Sequence, residues 1–83
     1  MNQLDSPPKE YATKDIYVAA SLLATGLNLI DIRRFEKQFT FVFPSTPEIE
    51  TLVSGYWNNT LRVDAHKLFT AFKDIKNRMY NQV

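Results

Sequence analysis

Apolar and polar residues alternate along this chain with two different periods, and the places where the period changes mark out its elements. Ile16, Ala19, Ala20, Leu23 and Ala24 recur at the three-and-four spacing of one helix face. Thr13 ahead of them reads as an N-cap, with Asp15 in the first turn where a carboxylate suits the helix dipole. Gly26 stands where a left-handed residue ends such a helix. In "LNLIDIRRF" the period shortens. Leu27 and Leu29 face one way and Ile30 and Ile32 the other, which predicts either a bulge or a sheet covered on both sides. A strand is expected from Leu27 to Arg34, with a turn at Glu36, Lys37 and Gln38. "FTFVF" then alternates, with Phe39, Phe41 and Phe43 on one face and Thr40 and Val42 on the other. Two strands joined by a short polar loop predict an antiparallel hairpin.

Pro44 ends that strand. Thr46 as N-cap, Pro47 at the first helical position and Glu48 and Glu50 in the first turn predict a second helix. Its stripe is Ile49, Leu52, Val53, Tyr56 and Trp57, which places Tyr56 and Trp57 on the buried side. Asn58-Asn59 stops it. Asp64 is expected to cap a last helix that buries Ala65, Leu68, Phe69, Phe72, Ile75 and Met79. Residues 1–12 carry Pro7-Pro8 and no period, and read as a flexible tail ahead of a single domain over 13–83. The expected class is α+β, an αββαα order in which three helices pack an antiparallel β-hairpin. The phenylalanines of "FTFVF" are then core residues. A base-stacking platform would want basic or polar residues between the rings, and Thr40 and Val42 do not supply a basic one.

Composition narrows this picture. At 83 residues a single core leaves only about 3–5 kcal/mol of net stability. No cysteine is present to add a disulfide or a thiolate metal site. A formal charge of +1 gives no overall case for nucleic acid or an anionic surface. The start of the chain has no basic head with an apolar run, and the stretch from Ile16 to Ile30 is too short to span a bilayer. A cytoplasmic location without membrane contact is expected.

Residues Thr13, Asp15, Ala19, Ala20, Leu22, Leu23 and Gly26, then Arg33, Phe41 and Phe43, then Tyr56, Trp57 and Asn58, then Leu61, Val63, Asp64 and Ala65 form a recognisable series. In this series the chain resembles a family of short prokaryotic and phage proteins known only as a domain of unknown function. The resemblance covers nearly everything after the tail. It implies a shared fold and a phage or mobile-element setting, and carries no activity or catalytic residue with it.

Chemistry is sparse. His66 is the sole histidine, and it stands two residues from Asp64 at a helix start, so the two side chains diverge. No nucleophile with a base beside it and no converging ligand set can be read, so no catalytic, cofactor or metal residues are expected. Gly26 and Gly55 lie outside any glycine-rich run that could cradle phosphate. The sequon Asn58-Asn59-Thr60 reads as a helix stop. The expected function is therefore a non-enzymatic accessory protein that acts stoichiometrically, through a preformed surface, on a protein partner. A homodimer through the hairpin edge is left open. The alternative is nucleic-acid binding through Arg33, Arg34 and Lys37 at the hairpin, and Arg62, Lys67, Lys73, Lys76 and Arg78 on and before the last helix.

Overall fold

A computed structural model of the chain describes residues 10–81. The order is β1 (Glu10–Thr13), α1 (Ile16–Ala24), β2 (Asp31–Phe35), β3 (Gln38–Pro44), α2 (Ile49–Trp57) and α3 (Ala65–Tyr80). The class is α+β as expected, with one strand more than the sequence suggested. β1 comes from the end of the stretch read as a tail, and residues 1–9 of that tail lie outside the described residues. β1 pairs antiparallel with β3, Ala12 opposite Val42 and Thr13 opposite Phe41, so the sheet order is β1-β3-β2. "EYAT" is too short to show a period, and its conformation comes from the partner strand rather than from itself.

The hairpin is as predicted, but β2 begins four residues later than the periodicity implied. Ile30 donates to the carbonyl of Val42 at 2.7 Å while Asp31 is the register partner of the same residue. Two residues thus oppose one, a bulge that resets the phase: Leu29 is buried and Ile30 is 52% exposed. At the turn, Glu36 has φ 57° and Lys37 does not share a positive φ, the pattern of a hairpin turn that favours glycine first. Glu36→Gly is therefore expected to raise stability by about 0.5–1 kcal/mol, read as a higher urea midpoint with unchanged slope. The Arg34 Nε bond to the Glu36 carbonyl (2.9 Å) uses backbone and survives the change.

Helix ends show why the chain breaks where it does. Asp15, rather than Thr13, caps α1, accepting from the amides of Tyr17 (2.8 Å) and Val18 (3.2 Å). Thr13 Oγ1 accepts from the Asp15 amide instead. Gly26 (φ 108°) donates to Leu23 and Leu27 to Leu22, closing α1 in a Schellman motif. The same motif closes α2, with Asn59 (φ 63°) donating to Tyr56 and Thr60 to Gly55. α2 starts later than Thr46 and Pro47 suggested: the amide of Ile49 reaches the Thr46 carbonyl (3.1 Å) in a preceding turn, and Glu48 makes no side-chain cap. Asp64 caps α3 as expected, accepting from the Lys67 amide at 3.2 Å.

The helices cover one face of the sheet. Phe41, Phe43 and Ile32 pack with Val18, Ala19, Ala20 and Leu22 of α1, Ile49 of α2 and Ala71 and Ile75 of α3. Phe39 joins them half-buried, so the rings of "FTFVF" do line the core. The opposite face is not simply polar: Val42 is fully buried there. Across it Arg33 of β2 reaches Glu10 of β1 at 3.3 Å, while its Nε meets Asp31 at 3.2 Å.

Candidate binding groove

α3 carries more large apolar residues than one buried face can hold. At about 100° per residue Phe69 lies roughly 120° round the helix from Ile75, outside the core-facing arc. The structure accordingly leaves Phe69 69% exposed, although the sequence reading placed it in the core. Ala65 is exposed too, whereas Leu68, Phe72 and Met79 are half-buried as expected. Tyr80 (67% exposed) lies on the same outer side as Phe69, and Lys73 and Lys76 fall between them. α2 shows a second excess. Its stripe ends in Tyr56, which is half-buried, and Trp57, which is exposed rather than buried because the α2 closure follows at once.

Three helices frame these rings. Tyr17 of α1 stacks on Phe72 of α3, with centroids 5.7 Å apart and planes within 5°. Tyr56 of α2 meets Trp57 edge-on at 5.0 Å. Between them lies a hollow of about 270 Å³ lined by Tyr17, Ala20, Ser21, Tyr56, Leu68, Phe69 and Phe72. A second hollow of about 300 Å³ shares Ser21, Tyr56 and Leu68 and runs on to Asn59, Leu61 and Val63. Together they make a groove along the α1–α3 seam and over the α2–α3 connector. Its floor offers little polar chemistry: the Ser21 hydroxyl is already spent on the Tyr17 carbonyl at 2.8 Å. Its rim is basic. Lys76 Nζ stands 5.5 Å from the Phe72 centroid, and Lys73 lies one turn beyond Phe69. Among the described residues neither lysine pairs with a carboxylate.

The basic residues picked out from the sequence do not meet on one surface. Arg33 lies on the outer sheet face between two carboxylates; the Asp31 hydrogen bond and then the Glu10 charge raise its guanidinium above its ordinary pKa. Arg34 folds back on its own turn, with its guanidinium 5.9 Å from the Phe39 ring. Lys37 lines a hollow with Met79 and with Lys14, a residue the sequence did not single out. Lys67 lies roughly 18 Å along α3 from there, beside His66, Asp74 and the end of α1. Arg62 is exposed beyond the α2 closure, and Arg78 pairs with Asp74 at 3.1 Å. Lys76 stands over the Phe72 wall of the groove, Lys73 lies one turn beyond Phe69, and Arg62 donates to the Asn59 and Leu61 carbonyls (3.4 and 3.5 Å) at the second hollow.

Against this geometry, the family model described as "Domain of unknown function (DUF5659)" matches residues 8–81. The chain belongs to that family. The match takes in all three strands and all three helices, so the DUF5659 unit is the whole described fold. No curated protein and no solved structure matches this DUF5659 chain. Among its described residues no helix is long and apolar enough to cross a membrane, and no three His, Cys, Asp or Glu gather as a metal-holding group.

Of the groove walls, the sequence reading placed Tyr56, Phe69 and Phe72 in the core and did not single out Tyr17. The signal for Phe69 was present in the arc of α3, since Phe69 and Ile75 cannot both face one narrow core. Tyr17 gave no such signal, because only the position of α3 turns it from a solvated side chain into a wall.

Proposed function

We propose that this protein is a non-enzymatic binding module that seats a segment of a protein partner in the aromatic groove, masking or recruiting that partner one to one. The observation that carries this reading is the preformed hollow walled by Tyr17, Tyr56, Phe69 and Phe72. Rings already held by three helices lose little further freedom on binding, and aromatic walls are where interfaces concentrate their energy. The shape and the lysine rim fit an amphipathic helix with apolar anchors on one side and carboxylates beside them. A small accessory role in a phage or mobile-element setting, in the cytoplasm, accords with this mode of action.

The second reading, nucleic-acid binding, draws on a narrower set than the sequence proposed. Phe69 and Tyr80 with Lys73 and Lys76 interleave rings and cations on one face of α3, as a single strand would require.

One experiment serves both readings. Tagged chain is used to capture its ligand in the organism that carries the gene, and the purified ligand is titrated against Trp57, the single tryptophan, which stands beside the groove. A protein ligand that shifts Trp57 emission at one-to-one stoichiometry, and binds Phe69→Glu at least tenfold more weakly, is the expected result. Phe69→Glu should melt as wild type, since exposed substitutions cost little. A partner that binds Phe69→Glu normally would remove the groove from consideration. A ligand destroyed by nuclease, whose affinity falls steeply with salt and is lost in Lys73→Glu/Lys76→Glu, would establish the nucleic-acid reading instead.

A further inference from the structure

The sheet has an unpaired edge that complements itself. β2 lies at one side of the order β1-β3-β2, so among the described residues one line of its backbone donors and acceptors meets no other strand of the sheet. Its outer face carries Asp31 and Arg33, and at its two ends stand Ile30, turned outward by the bulge (52% exposed), and Phe35 (76% exposed). An unpaired edge with an apolar group at each end offers a second strand both backbone partners and apolar contact.

We infer that β2 pairs antiparallel with β2 of a second copy about a two-fold axis at Ile32, joining two three-stranded sheets into one of six. The charges select this register. An axis at Arg33 would set two guanidiniums directly opposite each other, whereas an axis at Ile32 sets Asp31 of each copy opposite Arg33 of its mate. Residues equidistant from the axis share a sheet face, so the two Asp31 and two Arg33 alternate in sign on the outer face. The same axis brings Phe35 of one copy towards Ile30 of the other, which covers the exposed apolar ends. The contact is closed and isologous, so it stops at two copies rather than growing into a fibre. Five-residue strands bury a modest area, and the association is expected at tens to hundreds of micromolar. The groove lies on the helical layer and the edge on the sheet, so this inference does not depend on the proposed partner.

The register gives a mixing test. Asp31→Arg sets arginine opposite arginine in the pair, and Arg33→Asp sets aspartate opposite aspartate. Each variant should sediment at the 9.6 kDa chain mass where wild type sediments at twice that. An equimolar mixture of the two restores opposite charges across the axis and should sediment as a dimer, although neither variant has a restored pair within its own strand. Both positions are exposed, so circular dichroism should show both variants folded. Phe69→Glu, remote from the edge, should dimerise as wild type does. A wild-type chain that stays at monomer mass up to about 500 µM would overturn the inference. So would self-association of both charge variants, a mixture that stays monomeric, or a dimer lost in Phe69→Glu and kept in the charge variants.

Discussion

Phe41→Ala is expected to cost about 3–5 kcal/mol and to leave most molecules unfolded in buffer. Phe41 is 1% exposed and lies in the central strand, between Thr13 of β1 and Ile32 of β2. Its ring fills the space between the sheet and the helical layer, so truncation opens a cavity that a fixed three-strand register cannot collapse. A core this small has no reserve to absorb the loss. Far-UV circular dichroism and a urea titration read the result. A variant that kept its melting temperature while losing a ligand would mean that the phenylalanines serve an outer surface.

Val42→Asp is expected to be similarly severe, at about 3 kcal/mol or more, because it strands a carboxylate where no solvent reaches. By alternation alone Val42 belongs to the solvent face with Thr40, where such a change would be mild. In the folded sheet it is 0% exposed, flanked by Ala12 and Asp31. Thr40→Asp is the control on the same face. Thr40 is half-buried opposite Arg33, and the new carboxylate gains a neighbouring cation, so the change should stay within about 1 kcal/mol. Equal tolerance at both positions would contradict the burial of Val42.

Local signals were legible wherever a few neighbouring residues decide the conformation. Gly26, Asn58-Asn59 and Asp64 marked helix ends, and the closing and capping bonds are all made within a few residues of them. The alternation of Phe39, Phe41 and Phe43 identified β3 and its inward face for the same reason. β1 was not legible, because four residues without a period become a strand only when β3 offers them an edge. The bulge was legible as one of two readings of Leu29 and Ile30, and only the Val42 carbonyl chose between them. Among site residues, α3 announced its lysines but not their company. Lys76 stands over the Phe72 ring that stacks on Tyr17, while Arg33 is occupied by Glu10, which lies 23 positions earlier in the chain.

By itself, then, the sequence determined the α+β class, the hairpin, the three helices, the stops of the first two and the identity of the inward rings. These follow from periodicity, backbone preferences and short-range hydrogen bonds, all of which act over a turn or two. Tertiary structure alone decided that a third strand joins the sheet beside β3 and that, among the described residues, β2 has no strand on its other side. It also decided that Tyr17, Tyr56, Phe69 and Phe72 wall a groove, since the way α1, α2 and α3 pack sets which surplus apolar residues meet and which stay apart. A helix records in its own sequence how wide its apolar arc is. What occupies the part of that arc left over from the core depends on neighbours brought in from elsewhere in the chain.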